Sequence, residues 1–115
     1  MATKSIATLR RRADKLFQEV VKREKPISVV SGLQTEVIHH FINKGHSNNL
    51  RYDKKNGVPL TAKEHTQHHR SGDPAIVIAI KEHYGDEWFA DLQARRRIIR
   101  KFNKGYLRGV IEELS

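Results

Sequence analysis

Two pairs of histidines and one asparagine are the residues in this sequence whose types and spacing could do chemistry. His65 and His69 are four residues apart in a segment with helical spacing, so their rings should lie side by side on one face. Two imidazoles placed in this way can chelate one divalent ion. On its own the pair is weak evidence, because histidines at this spacing more often lie on a solvated helix face or bond to each other.

The second pair, His39-His40, lies in the apolar segment 36–42, which predicts a β-strand. Adjacent strand residues point to opposite faces, so in a regular strand only one ring can face the helix of His65 and His69. One histidine would then complete a metal site of three imidazoles with open coordination positions. The other would remain unligated as a base for water. Metal-assisted hydrolysis of a phosphodiester needs both an ion and a base.

A polar loop over residues 43–57 separates the two histidine pairs, and loops of this length are often functional. Asn56 lies near its end and leaves two interpretations open. Its amide could bond backbone groups across the loop and hold the strand of His40 in place. Alternatively, Asn56 and Gly57 form an ordinary Asn-Gly turn.

The sequence patterns around these residues predict the elements that must position them, in a small, mostly helical α+β protein with one domain over residues 1–115. Asp73-Pro74 is a strong helix start, with Asp at the N-cap and Pro at the first helical position. The expected elements are a basic helix over about 5–24, a short strand and turn at 27–33, strands at 36–42 and 58–60, and helices over about 61–70, 74–84, 86–101 and 106–114.

The net charge of +9 and the pI near 10.1 predict a polyanionic partner, and we expect DNA. Basic residues are concentrated in two stretches, 1–25 and 92–108, and the second contains no acid. The alternative is two solvated helix faces. The candidate DNA contacts are Arg10, Arg11, Arg12, Arg95, Arg96, Arg97, Arg100 and Lys101.

The absence of cysteine excludes disulfides and thiolate zinc sites and is compatible with a reducing compartment. The sequence contains no apolar run near eighteen residues and no secretory signal, so we expect no membrane span. These features together predict a cytoplasmic protein.

His39-His40, Asn56, His65 and His69 resemble the HNH, or ββα-metal, nuclease motif, with a spacing similar to that of colicin-type DNases. The segments LRRRADKLFQEVV, LRYDKKNGVPL, SGDPAI and EWFADL are similar to the phage NinG/Rap recombination nucleases. The resemblance implies a ββα-metal core over about 36–71. It also implies site roles: metal ligands His39, His65 and His69, general base His40, loop-fixing Asn56, and Arg70 near the scissile phosphate.

The resemblance implies a metal-dependent DNA endonuclease that acts on branched or structured DNA. Three imidazoles favour one Zn²⁺, Ni²⁺, Co²⁺ or Mn²⁺ ion, and the ion used in catalysis could instead be Mg²⁺ or Mn²⁺. A homodimer would be favoured if the cuts are paired. The alternative is a non-catalytic DNA-binding protein with a structural His-metal site, and an intact His40 favours the enzyme. A secreted colicin-type toxin is disfavoured by the lack of receptor and translocation regions.

Relatives in this family commonly hold a structural zinc with two CxxC pairs, whereas this chain has Ser28, Ser31, Thr61 and Glu64 at the corresponding positions. We therefore expect the catalytic ion without a structural zinc held by four cysteines. Packing should replace that zinc, with Ile27, Val29, Val30, Val37 and Leu60 against the helices. Among the other histidines, His68 lies about 100° around the helix from His69 and should be a poor ligand. We expect His46 in the loop and His83 on a helix surface.

Overall fold

Five α-helices and one two-stranded antiparallel sheet make up the part of the chain that the computed structural model describes, residues 4–45, 48–72 and 74–115. The mostly helical α+β class is confirmed in this coarse form. No helix within those ranges combines the length and apolar character needed to cross a bilayer. In chain order the elements are α1 (Ile6–Glu24), β1 (Val37–His40), β2 (Gly57–Leu60), α2 (Ala62–Ser71), α3 (Pro74–Tyr84), α4 (Asp86–Arg95) and α5 (Lys104–Leu114).

The two strands pair in a register that places His39 opposite Val58 and His40 opposite Gly57. Gly57 is required here by close packing. A Cβ atom at this position would lie 2.8 Å from the Ile38 side chain and 3.2 Å from the ring of Phe17. The glycine therefore lets α1 pack directly on the strand pair that carries the histidines.

Helix α1 begins at its N-cap Ser5, whose hydroxyl accepts a hydrogen bond from the amide of Thr8. Its apolar face packs against two partners. Leu9 and Ala13 contact α5, and Phe17 and Val21 contact Ile38 of β1. The basic helix predicted over about 5–24 is therefore confirmed, and its buried face packs against one face of the strand pair.

A second apolar cluster covers the other side of the sheet and consists of Val58, Leu60, Ile76 and Ile80, with Val29, Val30 and Val37 packed against it. This is the packing expected for the segment before β1, with one exception. Ile27 is 58% exposed and contributes nothing to this core, so its predicted burial is wrong. Ile27 lies outside both strands and forms an isolated β-bridge with Gln34, which explains its exposure.

Two predicted elements differ clearly from the structure. Residues 27–33 contain the predicted turn, with Gly32 at positive φ, but the predicted strand is wrong, because this segment forms only the isolated β-bridge between Ile27 and Gln34. The helix predicted over 86–101 ends at Arg95. Beyond it, Ile98 and Ile99 are 51% and 92% exposed, so they offer no buried face that would extend the helix. The predicted N-cap Asp73 and the loop residue His46 lie outside the described residues.

A hydrogen-bond network joins Ser28, Ser31, Thr61 and Glu64. The Ser28 hydroxyl donates to Glu64 Oε1 over 2.6 Å, and the Thr61 amide donates to the same oxygen over 2.8 Å. The Thr61 hydroxyl in turn accepts from the Glu64 amide, which completes a capping box at the start of α2. The Ser31 amide donates to Ser28 Oγ. Burial raises the pKa of Glu64, but the Ser28 bond and the other donors outweigh it and lower the pKa.

We predict that Glu64→Ala lowers the free energy of unfolding by about 2–3 kcal/mol, because it removes a buried, charged hydrogen-bond acceptor and one half of the capping box. Glu36→Ala is the matched control. The Glu36 carboxylate also accepts from the start of α2, at the Ala62 amide, but in an exposed setting. Urea denaturation of the metal-free protein measures both variants. Equal losses would show that the buried network contributes nothing beyond an ordinary surface cap.

Candidate metal centre

Three imidazole rings from two elements converge on one point. His39 extends from β1, and His65 and His69 extend from α2; one ligand nitrogen of each lies within 4.8 Å of the others. The ring centroids are 5.2 Å apart for His39 and His65, and 4.3 Å apart for His65 and His69. Nitrogens that share one tetrahedral ion lie roughly 3.4 Å apart. The three histidines are therefore close enough to bind one metal ion after small side-chain rotations.

Local structure explains why these rings meet. β2 ends at Leu60, and Thr61 caps α2 immediately after it, so the rotational phase of α2 is set relative to the sheet. The His65 amide donates to the Thr61 carbonyl in the first turn. His39 is 5% exposed and lies between the sheet and α2. The strand register and the helix cap together direct the imidazoles to the same place.

The protonation chemistry of the cluster suits metal ligands. Burial, and then the charges of the neighbouring histidines, lower the pKa of His39 to about 3. Burial and the same neighbours also lower the pKa of His65. Both rings are therefore neutral at pH 7 and can donate a lone pair. Nδ1 of each is buried without a hydrogen-bond partner among the described residues. A buried polar atom left in this state destabilises the fold, and coordination would satisfy it.

His68 lies nearer the cluster than its helical position predicts. Its ring centroid is 5.0 Å from that of His39, compared with 5.6 Å for His69. It does not belong to the group of three whose nitrogens share a common point. His68 therefore borders the candidate site, and its position relative to an ion decides whether the coordination sphere has three or four protein ligands.

His40 points away from this cluster and is held by two contacts. Its Nε2–H donates to the Arg51 carbonyl over 2.8 Å, and its ring stacks on Phe17 with centroids 5.1 Å apart. A carbonyl only accepts, so the neutral ring carries its proton on Nε2 and leaves Nδ1 as a base. Burial lowers the pKa of His40, while the Arg51 carbonyl opposes this shift. The neutral ring is therefore the form present at pH 7.

One cleft of about 220 Å³ contains both parts of this arrangement. It is lined by the three clustered histidines and by His40. Gln18, Asn43 and Lys44 complete the polar part of its wall. The Lys44 ammonium places a positive charge at the cleft that sequence reasoning overlooked.

Asn56 bridges the two ends of the loop between the strands and is fully buried. Its Oδ1 accepts from the Ile42 amide over 2.7 Å, and its Nδ2 donates to the carbonyls of Ile42 and Leu50. Of the two interpretations left open by the sequence, this geometry matches the loop-bridging one. Because Ile42 lies two residues after His40, the amide also anchors the end of the His40 strand.

The basic residues proposed for DNA contact differ in their surroundings. Arg70 is exposed at the end of α2, next to His69, and Arg11, Arg12, Arg97, Arg100 and Lys101 are also exposed. Arg95 instead forms ion pairs with Asp53 and Asp91. Arg10 is half-buried with its guanidinium 5.8 Å from the ring centroid of Phe102, and Arg96 donates to Gln93. Arg95 is consequently the candidate least available to phosphate.

Two polar residues of α1 were missed as site residues. Gln18 bonds both backbone groups of Ile38, donating to its carbonyl over 2.8 Å and accepting from its amide over 3.0 Å. Asp14 forms an ion pair with Arg51. The available signal was their spacing, because Asp14, Phe17, Gln18 and Val21 fall on one helix face. Polar residues beside an apolar stripe indicate specific partners inside the fold.

Comparison of the chain with models of known protein families, with curated proteins and with solved structures finds no match. The geometry of the cleft and the charge distribution therefore carry the functional argument.

We predict that the protein binds one divalent transition ion per chain, and that His65→Ala weakens Zn²⁺ binding by about a hundredfold or more, since even outer-sphere changes cost roughly tenfold to a hundredfold. Equilibrium dialysis with elemental analysis measures both values. His83→Ala, at an exposed histidine of α3, is the control and should bind normally. Two tightly bound ions per chain, or unchanged affinity in His65→Ala, would contradict the assignment.

Proposed function

We propose that this protein is a metal-dependent DNA endonuclease of the HNH type that hydrolyses phosphodiester bonds. One observation carries the proposal: a single cleft holds three clustered histidines and a fourth, His40, whose ring is fixed separately with one basic nitrogen remaining. Hydrolysis of a phosphodiester requires these two functions side by side.

In the proposed reaction, His39, His65 and His69 hold a divalent ion, which when bound supplies charge stabilisation at the phosphate and the leaving oxygen. His40 accepts a proton at Nδ1 from the attacking water. The water oxygen forms a bond to phosphorus, and the bond from phosphorus to the leaving oxygen breaks. Lys44, at the wall of the cleft, attracts the phosphate. Asn56 keeps the loop and the strand of His40 in place.

The distribution of charge supports DNA as the substrate. The net charge of +9 arises largely from exposed cations of α1 and of the segment after α4. Phosphate contacts of this kind carry no base information, so discrimination should depend on DNA shape more than on sequence. The resemblance to phage NinG/Rap recombination nucleases extends the proposal to branched or structured DNA inside a bacterial host.

A second candidate function is a non-catalytic DNA-binding protein with a structural metal. The observation that favours it is the closeness of His68 to His39, because a fourth imidazole would close a tetrahedral site. Structural sites are closed, whereas catalytic sites keep an open position. The stacking of His40 on Phe17 and its bond to Arg51 favour the enzyme, since a structural site needs no separate base.

We predict that the wild-type protein nicks supercoiled plasmid in the presence of Mn²⁺, and that His40→Ala lowers kcat by about 10²–10⁴-fold, because it removes the general base. Zn²⁺ affinity should be unchanged, which separates loss of the base from loss of the ion. His83→Ala should cleave as the wild type does. Equal cleavage by His40→Ala would remove His40 from the mechanism, and absence of cleavage by every protein and metal would favour the binding protein.

We predict that DNA affinity falls steeply with salt, and that replacing Arg97, Arg100 and Lys101 together by alanine reduces the slope of log K against log [salt] by about two to three. Arg95→Ala is the matched control, because the guanidinium of Arg95 is committed to Asp53 and Asp91 and its loss should leave the slope unchanged. Fluorescence anisotropy with a short duplex measures each slope. If the DNA affinity of the wild type does not change with salt concentration, this segment does not bind the DNA backbone.

A further inference from the structure

We propose that the ion pair between Asp14 and Arg51 is a positioning device for His40, through which α1 sets the orientation of the general base. The catalytic meaning of this inference rests on the proposed nuclease function. The positioning itself is a property of the fold and can be tested without any cleavage assay.

The ion pair has the geometry of a rigid clamp. Arg51 donates from Nε to Asp14 Oδ1 over 2.9 Å and from Nη2 to Asp14 Oδ2 over 2.6 Å. A bidentate contact of this kind fixes the plane of the guanidinium as well as its distance. The two side chains are only 17% and 31% exposed, so solvent screens the pair less than it screens a surface contact. The clamp therefore holds a loop residue against a helix 37 positions away in sequence.

The held residue is the one that orients the base. The carbonyl of Arg51 accepts the Nε2–H of His40, so a shift in the Arg51 backbone moves the acceptor. Asp14 therefore acts on the orientation of His40 through one residue, in addition to the direct effect of its charge, which opposes the lowering of the His40 pKa by burial. Burial raises the pKa of Asp14, but the bond to Arg51 and the surrounding positive charge outweigh it and lower the pKa. The carboxylate is thus charged at neutral pH, as the clamp requires.

The same face of α1 restrains the base from two further directions. Phe17, one turn after Asp14, stacks on the His40 ring at an interplanar angle of 27°. Gln18 bonds both backbone groups of Ile38, two residues before His40 in β1. Helix α1 therefore fixes the plane of the His40 ring, the backbone of β1 and the carbonyl that accepts the His40 hydrogen bond. Of these three restraints, only the acceptor selects which ring nitrogen carries the proton.

Loss of Asp14 should lower turnover without weakening DNA binding. Without Asp14 the acceptor carbonyl is no longer fixed, and His40 can populate the tautomer with its proton on Nδ1, which cannot accept one from water. We therefore expect Asp14→Ala to lower kcat by about tenfold to a hundredfold, as the loss of an orienting partner typically does. The same change removes a negative charge and frees the guanidinium of Arg51, so KM for DNA should stay constant or fall.

The chain offers a matched control in Glu24, a second carboxylate of α1. Glu24 pairs with Lys54 of the same loop over 2.8 Å, but these side chains are 49% and 45% exposed, and the pair lies apart from the His40 contacts. Glu24→Ala also removes one negative charge, yet it should leave kcat unchanged. Equal kcat losses in Asp14→Ala and Glu24→Ala would overturn the inference, because general electrostatics or loop stability would then explain both.

A double-mutant cycle tests whether Asp14 acts through Arg51. Asp14→Ala, Arg51→Ala and the double variant should show similar kcat values, since any one change breaks the same clamp. Additive losses would show that the residues act independently and would contradict the inference. Asp14→Asn, which keeps the shape and one acceptor oxygen, should lose less than Asp14→Ala, and it replaces Asp14→Ala should that variant prove too unstable to purify folded.

The tautomer of His40 gives the readout that does not depend on cleavage. Nitrogen NMR of the imidazoles in the metal-free protein at neutral pH should show His40 protonated on Nε2 in the wild type and in Glu24→Ala, and a mixture of tautomers in Asp14→Ala. If no protein cleaves DNA but the tautomer shifts, the positioning inference stands and the nuclease proposal fails. If the wild type cleaves and Asp14→Ala retains both its kcat and its tautomer, the inference fails while the nuclease proposal stands.

Discussion

The alternating direction of side chains along one short strand is the constraint on which this site depends. His39 and His40 are neighbours in β1, so the pleat sends one ring towards α2 and the other towards α1. His39 meets His65 and His69 on its side. His40 meets an aromatic ring and a backbone carbonyl on the other. A one-residue change of register would exchange these environments, and neither ring would find its present partners.

Because the site is divided between two helices, each helix must be fixed to the sheet by its own contacts. For α2 the fixing elements are the capping box at Thr61 and the buried bond from Ser28 to Glu64. For α1 they are the two bonds between Gln18 and the backbone of Ile38. The polar contacts have a directional role that apolar packing lacks, because a hydrogen bond sets angle and distance together. The buried Nδ1 atoms of His39 and His65, which lack a partner among the described residues, add a cost to the metal-free fold that a bound ion would offset by mass action.

The sequence was informative where the signal was local. Helix α1 is readable from its apolar period. Strand alternation and helical spacing indicate that one histidine of the pair His39-His40 faces His65 and His69, and the resemblance to the HNH motif implies that it is His39. What could not be read were pairings between distant positions. The bond of Arg95 to Asp53 joins residues 42 apart and has no periodic signature, so the sequence cannot show that the guanidinium of Arg95 is engaged within the fold. The helix predicted to 101 failed for a related reason, since charge and β-branched residues alone do not show whether a tertiary partner exists.

The loop between the strands is held from several sides. This restraint is needed because the His40 ring donates a hydrogen bond to a loop carbonyl, that of Arg51, which must stay in place. Ion pairs tie it to α1 through Arg51 and to α4 through Asp53. Asn48 bonds the backbone of Arg100, in the segment after α4, and Asn49 donates to the carbonyl of Arg95, the last residue of α4. A flexible loop could not supply a fixed acceptor for an imidazole, because its backbone would sample many positions. The acids Asp14, Asp53 and Asp91 are engaged by arginines in these contacts, so their charges are already compensated and do not neutralise the exposed cations elsewhere. The same ion pairs that hold the acceptor of the His40 ring thereby leave the charge of the exposed cations uncompensated.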